Sequence, residues 1–385
     1  MRFRDIAGYQ SLKKTLVSAV QSGRVPHAQL WLGNEGSPNL TLALAYATFL
    51  NCQQPTDDSC GTCPACYKYD RFIHPDLHFV FPTATTKQIT KREEAVSAAF
   101  LKPWRQFLKQ KPYGNLADWA NELGAENKQC IIPVQEGRNI IKALSLKSFE
   151  ASYKVMLIWL PELMNVSAAN AILKILEEPP ERTVFLLVAQ QIEQVLPTIL
   201  SRTQLIHVRP FTDEELREML VQHYRVPQQK AVEVVPLANG NLREALSLVE
   251  TVEHTSAEKF RQWMLNCFKM DIKALIKESE QFGNLDREMQ KAFLQYGISI
   301  LRETLTIQVL GENQARLQAG ALNFVRNFSK FINYHNIDLL YQLFSRTIYE
   351  IERNANPRMA FMSLSLKVGQ ILKSQQQAYR TGQNV

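Results

Sequence analysis

The chain predicts an α/β fold, in which a mostly parallel sheet covered by helices is continued by an all-helical second half. Three observations carry this. Short apolar runs alternate with helical patterns up to about residue 209, strand patterns stop beyond Pro210, and four of the six cysteines fall within residues 52–66. Strands that read as continuous apolar runs are buried on both faces, and crossover helices between parallel strands supply that cover. With 385 residues, the chain is long enough for two or three domains with cores of ordinary size.

The first half unfolds in order. A helical stretch at 11–22 leads through Gly23-Arg24-Val25-Pro26 to a strand at 29–32 and then to the loop Gly33-Asn34-Glu35-Gly36-Ser37-Pro38-Asn39-Leu40. A helix to about residue 50 follows, then the cysteines, then His74-Pro75-Asp76 and a short strand at 77–81. Residues 83–129 carry two amphipathic patterns split near Pro112-Tyr113-Gly114 and read as an inserted helical element. The core resumes with a helix at 134–144, a strand at 154–160, a helix at 168–178 stopped by Pro179-Pro180, and strands at 183–189 and 204–208. Thr212-Asp213-Glu214-Glu215 is a capping box that opens a small helical domain at 210–253. Residues 254–374 are nearly all helical in pattern, and 375–385 read as a disordered tail.

The apolar stretch at 40–50 is too short to span a bilayer, and the first residues lack the apolar core and cleavage site of a secretory signal. A cytoplasmic protein is expected. The net charge of +7 and pI near 9.0 permit nucleic-acid contact without demonstrating it. The densest basic segment carries Lys87, Lys91, Arg92, Lys102, Arg105, Lys109 and Lys111 against only Glu93 and Glu94, with Phe100, Trp104 and Phe107 interleaved. It could track a phosphate backbone, but the simpler reading is a solvated helix face with the aromatics turned to the core.

Cys52, Cys60, Cys63 and Cys66 are spaced C-x7-C-x2-C-x2-C. Tight C-x2-C turns, here Cys60 to Cys63 and Cys63 to Cys66, present two thiolates at once and suit tetrahedral Zn²⁺, and four cysteines leave no open position, so the zinc would be structural. A pair of disulfides is the alternative, which a reducing cytoplasm disfavours. Cys130 and Cys267 stand alone and read as small buried apolar residues.

The loop at 33–40 has the frame of a phosphate-binding loop, G-x-x-x-x-G-K-[ST], without its chemistry. Pro38, Asn39 and Leu40 occupy its last three places: proline lacks an N–H, asparagine lacks charge, and leucine cannot ligate a metal. In nucleotide hydrolases of this architecture a second strand ends in acidic residues that hold Mg²⁺. Here that strand ends in Trp159 and Leu160, and the nearest acid is Glu162. With lysine, hydroxyl and both carboxylates missing, neither ATP nor Mg²⁺ is expected in this site.

These segments, with residues 3–10, 23–28, 165–180 (NVSAANAILKILEEPP) and 196–202 (LPTILSR), resemble the clamp-loader branch of the AAA+ ATPases over nearly the whole chain. The resemblance implies an AAA+ domain at 1–209 with a zinc module at 52–66, a lid domain at 210–253 and a collar at 254–374 that joins subunits into a ring. Since the gamma/tau subunits of that branch keep the lysine and acidic pair, the resemblance further implies an ATPase-silent subunit acting as a stator. It would sit with gamma/tau and delta subunits in a hetero-pentamer that loads a sliding clamp on primed DNA.

By the same resemblance Ser201, Arg202 and Thr203 match a Ser-Arg-Cys motif whose arginine reaches ATP on the neighbouring subunit, with threonine in place of cysteine. Gly240 to Ala245 resembles a segment whose arginine reaches a bound nucleotide, although with no phosphate in its own site Arg243 reads as a structural helix residue. Two readings compete with the silent subunit: an active gamma/tau-type ATPase with a variant phosphate site, and a stand-alone zinc-containing DNA-binding protein.

Overall fold

The computed structural model describes residues 1–125, 128–252, 256–311, 324–326, 328–329, 332 and 334–380. The chain divides into two compact units, one of residues 1–219 with 240–243, the other of residues 220–239 with 244–385. The segment expected as a separate lid is therefore shared between the two.

The first unit is built on five strands, β1 (Ala28–Leu32), β2 (Leu77–Val80), β3 (Lys154–Trp159), β4 (Thr183–Ala189) and β5 (Gln204–His207). They pair in the order β2-β3-β4-β1-β5, every pair parallel, with Leu30 in register with Leu187 and Leu205, and Leu187 with Ile158. Each element expected of the parallel sheet is present. One expectation is corrected: β5 is not a buried strand. Gln204, Leu205 and His207 are exposed, because β5 is the last strand of the sheet and only β1 pairs with it.

Helix α1 (Gln10–Gln21) precedes β1 and α2 (Asn39–Leu50) follows it. All twelve residues of α2 are buried, as a helix apolar all round requires. Helices α6 (Val134–Ser145) and α7 (Val166–Glu177) turn Ile140, Leu144, Ile172 and Leu176 into one core with Leu30, Ile158 and Leu187. Their close approach depends on Gly137, where a Cβ would lie 2.9 Å from the Ala168 carbonyl oxygen.

The inserted element opens and closes at one bridge, where Thr83 and Ile131 exchange backbone hydrogen bonds of 2.8 and 3.0 Å. Between them lie α4 (Leu101–Gln110) and α5 (Leu116–Glu122). Their aromatics face inward, as the amphipathic pattern requires: Trp104, Phe107 and Trp119 are buried, while Lys87, Lys91, Arg92, Lys102, Lys109 and Lys111 are exposed. After β2 and the cysteine segment with α3 (Pro64–Asp70), the remaining helices of this unit are α8 (Pro197–Leu200) and α9 (Asp213–Glu218), the latter opened by the Thr212–Glu215 capping box.

The regular elements among the second unit's described residues are helices, with α10 (Gln228–Ala238), α12 (Ser256–Lys269), α13 (Ile272–Gly283), α14 (Arg287–Leu310), α15 (Tyr334–Glu352) and α16 (Pro357–Arg380), and most of α11 (Leu242–Val252). Its core is aromatic: Phe282 stacks on Phe361 at 4.0 Å between centroids, and Trp263 on Phe361 at 5.0 Å. Residues 375–380, expected as tail, continue α16, and residues 381–385 of that expectation lie outside the described residues. No helix among the described residues is long and apolar enough to cross a membrane.

Candidate functional site

In the loop between β1 and α2 three backbone amides are bonded within the chain, while the buried Ser37 hydroxyl has no partner among the described residues. Gly33 N–H donates to the Ala189 carbonyl at 3.2 Å, Ser37 N–H to Asn34 O at 3.0 Å, and Leu40 N–H to Asn39 Oδ1 at 2.9 Å. Asn39, in the lysine place, is buried and donates through Nδ2 to Gly33 O and Ala189 O, both at 3.1 Å, so it staples the loop to the end of β4. Pro38 caps α2 without an N–H, and Leu40 is buried. Gly36 has φ +75°, and a Cβ there would lie 1.8 Å from Asn241 Oδ1. Glycine is therefore required both by its backbone and by the side chain seated on it.

At the end of β3, Trp159 is 1% exposed and packs against Trp104 and Phe107 of α4 with centroids 5.1 and 5.8 Å apart. Phe81 stacks on Trp104 at 4.3 Å, and Trp119 meets Phe81 and Trp104 edge-on at 5.1 Å. Trp119 Nε1 donates to Pro82 O at 2.7 Å. An aromatic cluster thus takes the place where a metal-binding strand end would need carboxylates; it offers no oxygen to a cation. Leu160 is buried with φ +56°. Glu162 is turned away, its Oε1 accepting from Gln190 N at 2.8 Å and Gln191 N at 3.2 Å, and burial pushes its carboxyl above the usual range despite those bonds.

The insertion also reaches the loop, through Asn115. Asn115 caps α5 and Asp118 completes the capping box, each accepting from the other's backbone N–H at 2.9 and 3.0 Å. Asp118 accepts from Arg243 Nε at 2.5 Å and Nη2 at 3.1 Å, while Glu35 accepts from Asn115 Nδ2 at 2.9 Å and from Arg243 Nη1 at 3.4 Å. Burial works to raise the Asp118 pKa, but the Arg243 bonds and charge outweigh it and hold the carboxyl below its ordinary range. Arg243 is thereby committed to two carboxylates of its own chain, one of them on the phosphate loop. The Glu35 carboxylate on the loop and that of Asp118 thus share one guanidinium.

Arg202 follows α8 on the same unit. Its Nη1 donates to Thr198 O at 2.9 Å and Ser201 Oγ at 3.1 Å, and its Nη2 pairs with Glu177 Oε1 at 2.6 Å. Thr203 Oγ1 donates to Ile199 O at 3.1 Å, back onto the turn that follows α8.

The four cysteines converge. All four Sγ atoms lie within 4.8 Å of one another, Cys60 and Cys66 at 3.9 Å, and no disulfide joins them. Tetrahedral bonds of about 2.3 Å require sulfur separations of about 3.8 Å, so the set fits a thiophilic cation with small adjustment. Backbone amides point at three of the sulfurs: Cys60 N–H donates to Cys52 Sγ at 3.2 Å, Cys63 N–H to Cys60 Sγ at 3.3 Å, and Cys66 N–H to Cys63 Sγ at 3.4 Å. The amides of Thr62 and Cys63 lower the Cys60 pKa to about 6, whereas burial raises that of Cys66.

Sequence reasoning named the loop, Trp159, Arg202 and the cysteines and did not single out Asn115, Asp118, Asn241 and Glu177. The N-x-x-D capping box at 115–118 was legible; nothing local could link it to Arg243, 125 residues away.

A family model described as "DNA polymerase III, delta subunit" matches residues 8–212, just over half of the chain. The DNA polymerase III subunit tau of Bacillus subtilis (strain 168) is 26% identical over 255 residues, covering 65% of this chain and 37% of that protein. Subunit tau of Escherichia coli (strain K12) is 24% identical over 254 residues, covering 64% and 32%. The chain spans from about a third to less than two thirds of the length of these and the other curated relatives at the head of the comparison, up to 58% for subunit gamma of Buchnera aphidicola. Among solved structures, a gamma subunit-related protein of Thermotoga maritima aligns at 14% identity over 94% of this chain and 99% of its own, with a TM-score of 0.38. The clamp loader delta protein of Bacillus subtilis aligns at 10% identity with the same coverage and a TM-score of 0.33.

Proposed function

The chain belongs to the DNA polymerase III, delta subunit family, and from that premise we propose that it is an ATPase-silent clamp-loader subunit of delta-prime type. The observation that carries the reading is the occupied loop: the Asn39 side chain in the lysine place is spent on Gly33 O and Ala189 O, and Arg243 is drawn onto Asp118 and Glu35. A side chain already neutralised by two carboxylates is not available to a nucleotide. The aromatic cluster on Trp159 supports the same reading from the metal side. Equilibrium binding of labelled ATP to the isolated chain tests it: no tight Mg²⁺-dependent binding is expected, and such binding would favour an active gamma/tau-type subunit instead.

In this reading the chain acts in trans. Arg202, with Ser201 and Thr203 shaping its turn, is an arginine finger for ATP on a neighbouring gamma/tau subunit. A planar, permanently charged guanidinium suits charge on a transferring phosphoryl group. The partners are gamma/tau and delta subunits in a hetero-pentameric ring, and through it the sliding clamp and primed DNA, with the second unit's helices serving as collar and the first unit as stator. In the reconstituted assembly, Arg202→Ala should lower ATP hydrolysis at the affected site by about 10³-fold. Unchanged turnover would remove Arg202 from the mechanism. Cys52, Cys60, Cys63 and Cys66 would hold a structural zinc that ties the segment before α3 together and takes no part in this chemistry.

A further inference from the structure

We propose that Glu177 is a latch on Arg202, and that a phosphate presented by a neighbouring subunit must displace its carboxylate before the guanidinium can act. The inference rests on the finger reading of Arg202 and adds a regulatory partner to it.

The guanidinium has two unequal ends. Nη1 is anchored on the Thr198 carbonyl and the Ser201 hydroxyl, and Nε is buried with no hydrogen-bond partner among the described residues. Nη2 alone reaches an anion, Glu177 Oε1 at 2.6 Å. The arginine side chain is 28% exposed and the glutamate 51%, so the glutamate is the half of the pair that can swing into water while Arg202 stays in place. What a phosphate would compete for is therefore Nη2, which is already directed at an anion.

The position of Glu177 supports the same assignment. It is the last residue of α7 and is followed by Glu178 and Pro179. A carboxylate in the last helical turn meets the negative end of the helix dipole, where a cation would stabilise and an acid does not. Arg202 brings a cation to this carboxylate, beside Lys174 of the same turn, while its own Nη1 stays anchored on Thr198 and Ser201. An ion pair this exposed is worth little, which suits a contact that must open during each cycle.

The test uses the assembly of this chain with its ATP-hydrolysing neighbours. Glu177→Gln keeps the size of the side chain and removes the competing charge, and should raise trans-stimulated turnover or tighten the apparent ATP affinity about two- to fivefold. The gain should vanish in the Arg202→Ala background, where the double variant equals Arg202→Ala alone. A role confined to holding α7 together would not produce a gain that depends on Arg202. If Arg202→Ala lowers turnover while Glu177→Gln leaves it unchanged or lowers it, the latch is wrong and the finger stands. If Arg202→Ala has no effect, finger and latch fall together.

Discussion

Replacing Asp118 by alanine removes the main anchor of Arg243, and the cost can be assembled from the contacts. The pair is neither buried nor free in water, with side chains 14% and 18% exposed. Exposed ion pairs contribute about 0–1 kcal/mol and breaking a fully buried one costs about 3–5, so loss of this doubly bonded bridge should cost about 1–3 kcal/mol. Asp118→Ala also removes the carboxylate that caps the Asn115 N–H, which adds about 1 kcal/mol and brings the total to about 2–4. Arg243→Ala leaves the cap and should cost about 1–3 kcal/mol. Urea unfolding followed by tryptophan fluorescence measures both, since Trp119 adjoins Asp118 and Trp104 touches Trp119. The double variant should fall short of the sum by a coupling of about 1–2 kcal/mol. A coupling below about 0.5 kcal/mol would refute the reasoning, because Arg243 would then not be held by Asp118 and the loop would be less occupied than its geometry indicates.

Two further outcomes follow from charge and metal. Asp76 accepts the backbone N–H groups of Phe149, Glu150 and Ala151 at 2.6, 2.9 and 2.9 Å; burial raises its pKa, but those bonds prevail and leave it below the usual range. A depressed carboxyl contributes stability above its unfolded pKa of about 3.9 and loses it as pH falls through the folded value. Asp76→Asn should therefore be less stable than the parent by about 1–3 kcal/mol at pH 7, with the difference closing below about pH 4; a constant difference down to pH 2 would contradict this. For the cysteines, protein purified without chelator should carry about one zinc per chain by atomic emission, and stripping it or introducing Cys63→Ser should lower the melting temperature by about 5 °C or more. Metal-free protein with unchanged melting would deny the cluster a structural role.

Much of this molecule can be read from local pattern. The helix after β1 is apolar on every side and is buried on every side, and the apolar strands came out within a residue or two of their expected ends. The amphipathic insertion showed which of its residues turn inward, and the cysteine spacing announced a cluster because short C-x2-C turns bring sulfurs together without help from the rest of the fold. β5 was misjudged as buried because its apolar residues look like those of an inner strand, and only the strand order places it at the edge.

By itself, the sequence determined what the loop and the end of β3 lack: Pro38, Asn39, Leu40, Trp159 and Leu160 carry no charge for Mg²⁺ or phosphate in any conformation. Tertiary structure alone decided what surrounds the loop and the end of β3. Asn115 meets Glu35 across 80 residues, Arg243 meets Asp118 across 125, and α4 brings Trp104 onto Trp159. Side-chain chemistry is a property of the residue, whereas these pairings arise only when strand order and helix packing bring distant segments within a few ångströms. Arg202 shows both halves: its charge is fixed by its identity, and its neutralisation by Glu177 is fixed by where α7 ends.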